Sequence, residues 1–86
     1  GGIIDQLRLT EGVKVAILIK EQEPHLFKVS MRSTVSDIDV SKVAAFFGGG
    51  GHKMASGCTI SSGTVHDVIN NITKQLQFQL KTKGYI

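Results

Sequence analysis

The stretch FGGGGHKMASG, residues 47–57, gathers the residue types best suited to holding a phosphate. Gly48, Gly49, Gly50 and Gly51 run directly into His52 and Lys53, and five of the chain's ten glycines fall within these eleven residues. Glycine in place of alanine costs about 0.5–1 kcal/mol of backbone entropy, so four together cost on the order of a few kcal/mol. A helix-ending turn needs one glycine. The surplus points to backbone kept bare for close approach of a ligand. Successive N–H groups in such a segment can converge on an anion, most often a phosphate, with His52 and Lys53 as added donors.

Two familiar phosphate loops do not fit. A Walker A loop has glycine immediately before its lysine and follows a strand; here His52 precedes Lys53 and the loop follows a helical pattern. The dinucleotide fingerprint G-x-G-x-x-G, started at Gly48 and Gly50, puts Lys53 where its last glycine belongs.

Arg32, inside SMRS, is the second candidate. It is either a solvated strand-end arginine or a bidentate clamp for phosphate or carboxylate. Ser30 and Ser33 flank it with hydroxyls. His25, His52 and His66 are scattered, and with the single Cys58 they form no H-x-x-x-H or C-x-x-C spacing for a metal. Asp5, Glu11, Glu21, Glu23, Asp37, Asp39 and Asp67 include no carboxylate pair suited to acid–base or two-metal work. Nothing near Cys58 supplies a base, so it reads as core packing. The pattern is an anion-binding loop without catalytic residues or metal ligands.

These residues need elements to position them. Residues 3–9 carry Ile3, Ile4 and Leu7 at helical spacing and read as a short helical turn ending near Thr10, Glu11 and Gly12. Residues 13–21 read as a strand; Val13, Val15, Ile17 and Ile19 line one face, and Ala16 and Leu18 make the other apolar, as in a strand covered on both sides. After the turn at Pro24, residues 25–33 alternate Phe27, Val29 and Met31 against Lys28, Ser30 and Arg32, a half-buried strand and the second arm of a hairpin. Residues 39–47 predict a helix with Asp39 as N-cap and Val40, Val43, Ala44 and Phe47 on one stripe, stopping at the glycines. Ala55–Ser61 reads as a third strand. Residues 64–83 predict the longest helix, capped by Thr64 with Asp67, striped by Val65, Val68, Ile69, Ile72, Leu76 and Leu80, and ended by Gly84. The expected class is α/β, more narrowly α+β-like: a small mixed sheet packed by helices, in the order β-β-α-β-α.

Composition agrees with one such domain of 86 residues. Aromatic content of 6% without tryptophan makes the core mostly aliphatic. The formal net charge of +3 permits an anionic partner, but the cations form no dense run of the kind a nonspecific duplex binder carries. One cysteine fits a reducing compartment, so a cytoplasmic location is expected. No apolar run approaches a membrane span, and the opening GGIIDQL has no signal-peptide character. It reads as a piece of a longer chain.

Taken in order, SMRS and DVSKVAAFFGGGGHKMASG resemble the C-terminal DHH-associated domain of the DHH phosphoesterases. The likeness runs from about Gly12 to the last helix and is nearest the bacterial branch of oligoribonucleases, 3′-phosphoadenosine-5′-phosphate phosphatases and cyclic-dinucleotide phosphodiesterases. It implies a substrate-binding domain that presses short RNA or a nucleotide phosphate onto manganese ions held by an N-terminal DHH domain of the same chain. Carried onto this sequence, Gly48, Gly49, Gly50, Gly51 and His52 would meet phosphate or nucleotide, with Lys53 continuing the motif. Arg32 and Ser33 would hold a phosphate or the base end. No DHH triplet occurs here. The chain by itself is therefore expected to have no catalytic residue, no metal site and no cofactor, and a homodimer is open. Two other readings stand beside this one: the same domain from a cyclic-di-AMP phosphodiesterase, and a noncatalytic RNA-binding module like the related domain of alanyl-tRNA synthetase.

Overall fold

The structure, a computed structural model, describes the backbone of residues 2–8 and 14–86 and the side chains of residues 15–86. Its elements are β1 (Gly2–Arg8), β2 (Lys14–Glu23), β3 (Leu26–Ser33), α1 (Val40–Phe46), β4 (Gly50–His52), β5 (Ala55–Ser61) and α2 (Val65–Thr82). The strands form one five-stranded sheet in the order β1-β2-β3-β5-β4. Each pairing is antiparallel, where a mixed sheet was expected. The α+β class stands, with two strands more than the pattern predicts.

The first of these corrects the helical turn expected over residues 3–9. Residues 2–8 are β1, with Ile3 opposite Ile19 and Leu7 opposite Val15. So short a segment gains little as a helix in isolation, while the free edge of β2 offers it a full ladder of hydrogen bonds. Leu9, the turn at Thr10, Glu11 and Gly12, and Val13 lie outside the described residues.

Alternation in β2 and β3 divides the sheet cleanly. Val15, Ile17, Ile19, Phe27, Val29 and Met31 point into a core closed by Val40, Val43 and Ala44 of α1 and Val68, Ile72, Leu76 and Leu80 of α2. Burying each large aliphatic contributes roughly 1.5–3 kcal/mol. Both helices serve this one face. The other is open: Ala16 is half-buried and Leu18 is 44% exposed, so β2 is not covered on both sides. Lys28, Ser30 and Arg32 stand on that open face.

Both helices are capped as their sequences predict. Asp39 accepts the Ser41 N–H at 2.9 Å and also the Ser41 hydroxyl. Thr64 accepts the Asp67 N–H at 3.2 Å. Gln79 of α2 grips the Asp39 backbone from both sides, accepting its N–H at 2.7 Å and donating to its carbonyl at 2.8 Å. Val40 N–H donates to the Lys53 carbonyl at 2.8 Å. The start of α1 is thus tied to α2 and to the β4–β5 turn.

The end of α1 explains most of the glycines. Gly48 takes φ +83° and donates to the Ala45 carbonyl at 3.0 Å, and Gly49 donates to the Ala44 carbonyl at 2.8 Å. This is a Schellman C-cap. The chain then passes so close to β5 that a Cβ on Gly49 would lie 2.1 Å from the Gly57 carbonyl oxygen. Gly51, at φ +143°, would place a Cβ 2.7 Å from Ser56 Cα. Gly50 alone of the four is unconstrained, since a Cβ there would meet nothing within 4 Å.

Gly49→Ala should therefore cost about 1–3 kcal/mol or more through overpacking against backbone, while Gly50→Ala should leave stability unchanged or raise it by up to about 1 kcal/mol. Thermal melts of the two variants measure this, and equal melting temperatures would contradict the packing. For Asp39, burial raises the carboxyl pKa, but the hydrogen bonds from Ser41 and Lys42 and the Lys42 charge outweigh it, and the net shift is downward. A lowered folded-state pKa gives stability that is present above the unfolded carboxylate pKa and lost as pH falls through the folded value. Asp39→Ala should cost about 1 kcal/mol at neutral pH, and urea titrations should show that difference shrinking in acid.

Candidate functional site

Strand register assembles the candidate residues on the open face. Arg32 of β3 pairs with Ala55 of β5, which pairs with His52 of β4. Arg32 and His52 thus stand in one row across the sheet, with Cα atoms about 10 Å apart from two strand spacings. Ala55 between them keeps the gap low. One row over, Ser30 pairs with Gly57, and Gly57 with Gly50. Neither glycine carries a side chain, so this row is bare backbone beside the Arg32–His52 row. Gly57 is also required structurally, because a Cβ there would come within 2.9 Å of the Val29 carbonyl oxygen. A third row holds Lys28 opposite Thr59.

The glycine loop meets a ligand differently from the convergent nest that four free N–H groups would make. The N–H groups of Gly48 and Gly49 are already given to carbonyls of α1. The remaining backbone donors belong to β4, the edge strand of the sheet. On an edge strand, alternate N–H groups point away from the neighbour and remain free for a partner.

The eight residues singled out in the sequence therefore separate. Arg32, Gly50 and His52 come together on the open face, all of them exposed. Gly48, Gly49 and Gly51 are held in place by the fold. Ser33 is buried on the opposite face; its hydroxyl donates to the Val35 carbonyl at 2.8 Å and accepts the Val35 N–H at 3.2 Å. Lys53 lies in the β4–β5 turn, in a hollow with Asp37, Asp39, Lys42 and Phe78 on the helical side. His25 sits exposed at the β2–β3 turn, its Nδ1 3.2 Å from the Gly63 carbonyl oxygen. Cys58 is a buried core residue whose thiol pKa is raised by burial.

Lys28, Ser30 and Thr59, outside that set, also stand on the open face. Strand alternation places Lys28 and Ser30 beside Arg32, so the signal for them was the same period of two; Thr59 needs the β3–β5 register. Among the described residues, hollows lie at two places along the face. One of about 240 Å³ is lined by Ala16, Leu18, Ser30 and Arg32. The other, of about 370 Å³, lies against Lys28, Thr59 and the glycine loop. Among the described residues no three His, Cys, Asp or Glu side chains are grouped to hold a metal ion, and no helix is long and apolar enough to cross a membrane.

Comparison with known proteins places the chain among its relatives. Over 34 residues, 40% of this chain, the sequence is 53% identical to the oligoribonuclease NrnB of Bacillus subtilis (strain 168), and the matched segment is 8% of that protein's length. The DHHA1 domain model matches residues 1–81, which takes in β1 as well as the segment from Gly12 onward that the motifs alone support. A match across nearly all of its length shows that the chain belongs to the DHHA1 domain family.

Proposed function

We propose that this chain is the substrate-binding domain of a manganese-dependent DHH phosphoesterase that hydrolyses short oligoribonucleotides, 3′-phosphoadenosine-5′-phosphate or both. The observation that carries the reading is the row of Arg32, Ala55 and His52 beside the bare row of Gly57 and Gly50, on a sheet face that no helix covers. The family and the partial likeness to an oligoribonuclease support it.

Each residue has a physical task. The Arg32 guanidinium offers a planar fork matched to two phosphate oxygens. His52, about 10 Å across the sheet by strand spacing, donates or accepts at the far side of the same ligand. Gly50 presents no side chain, so a phosphate or sugar can settle against the β4 backbone. Together they orient a substrate and neutralise part of its charge. Among the described residues no cluster of His, Cys, Asp or Glu could hold a metal ion. Metal-assisted attack of water on phosphorus belongs to an N-terminal DHH domain, across a cleft from this face.

Gly50→Val adds a branched side chain in open space, so the fold should persist while affinity for adenosine 3′,5′-bisphosphate and pentaadenylate falls at least about tenfold. Arg32→Ala should weaken both ligands to a similar degree. Calorimetry with a thermal melt as control decides this; unchanged affinity in both variants would remove the open face from the site. Incubated with manganese and either ligand, the chain by itself should release no product, and turnover followed by chromatography would place a catalytic centre within these 86 residues.

A further inference from the structure

We infer that the hollow between Lys28, Thr59 and the glycine loop is a second nucleotide subsite that favours oligonucleotides over single nucleotides; this rests on the phosphate-binding role proposed for the Arg32–His52 row. The hollow, about 370 Å³, is the larger of the two on the open face. Its floor includes Gly57 and its wall Gly49, both held as glycine by close backbone contacts, so the space is a fixed product of the fold. Lys28 supplies a cation at its rim, Ser30 and Thr59 supply hydroxyls, and no carboxylate lines it. That is a phosphate-favouring set.

Two further features make the occupant a nucleotide joined to the first. Ser30 lines both hollows, so they adjoin along β3. Lys28 and Arg32 lie four residues apart on the same face, about 13 Å along the strand, a separation that a chain of phosphates spans. Phe47 also lines the hollow, and its ring centroid lies 5.0 Å from that of Phe46, which is 65% exposed. A Lys beside an aromatic ring is a combination that holds an unpaired base and its phosphate, by stacking and by charge. A single bisphosphate occupies the Arg32–His52 row and leaves the Lys28 hollow empty; a longer chain fills both.

The test compares pentaadenylate with adenosine 3′,5′-bisphosphate on the 86-residue chain by amide chemical-shift titration, for the wild type, Lys28→Glu and Arg32→Ala. In Lys28→Glu the ratio of pentamer to bisphosphate affinity should fall about five- to tenfold. The pentamer's log–log salt slope should shrink by about 0.7, the value for one lost contact to a single strand. Pentamer, and not bisphosphate, should move the Lys28 and Thr59 amides. An unchanged affinity ratio, or Lys28 and Thr59 shifts of equal size with both ligands, would overturn the subsite while leaving the Arg32–His52 role standing. Failure of both ligands to bind the wild type at millimolar concentration would overturn that role and the subsite together.

Discussion

A Cβ on Gly49 would sit 2.1 Å from the carbonyl oxygen of Gly57, and that near-contact of two backbones governs the rest of the molecule. It lets the chain leave α1 through its Schellman cap and land directly on β5, with no layer of side chains between. From there Gly50 has only to extend for β4 to add to the sheet edge in register with Gly57 and Ala55. His52 then falls in the Arg32 row. A side chain at residue 49 would push β4 off β5, and His52 would lose its alignment with Arg32. The glycines are therefore mainly a solution to packing. The bare surface they leave is the consequence that a ligand can use.

The other end of α1 is held with comparable economy. Gln79 satisfies both backbone groups of Asp39, and the Lys53 carbonyl satisfies the N–H of Val40. Without such partners the first turn of a helix leaves orphan donors. Because the partners come from α2 and from the β4–β5 turn, the cap also ties the helical layer to the hairpin that carries His52. Lys53 enters this scheme through its carbonyl, and its side chain belongs to the helical side. Ser33 likewise spends its hydroxyl within its own turn, on the backbone of Val35. Ser33 lies next to Arg32 and yet does different work, because adjacent strand residues face opposite sides of a sheet; Lys53 follows His52 but already belongs to the turn.

Much of the fold was legible. The alternation of Phe27, Val29 and Met31 against Lys28, Ser30 and Arg32 specifies β3 and both its faces. Asp39 and Thr64 mark the starts of the helices, Gly48 and Gly84 mark their ends, and each does so through local hydrogen bonds that neighbouring residues determine. The outer strands were not legible, for a common reason. β1 is short, with apolar residues that fit either period, and its ladder is supplied by β2. β4 contains two glycines and has no pattern of its own; it is a strand only because β5 lies beside it. The apolar look of Ala16 and Leu18 suggested a covered face, but both helices are drawn to the larger stripe on the other side.

By itself the sequence determined the local elements, their caps, the polar face bearing Arg32 and a glycine-rich segment able to approach a phosphate. Those features depend on residues within a turn or two of one another. Only the tertiary structure decided which glycines are demanded by packing and which one is free. It also decided that Arg32 and His52 share a row, that Ser33 and Lys53 stand apart from it, and that Lys28 and Thr59 frame a second hollow on the same face. These depend on which strands pair and in what register, and a shift of one residue would turn every side chain to the opposite face.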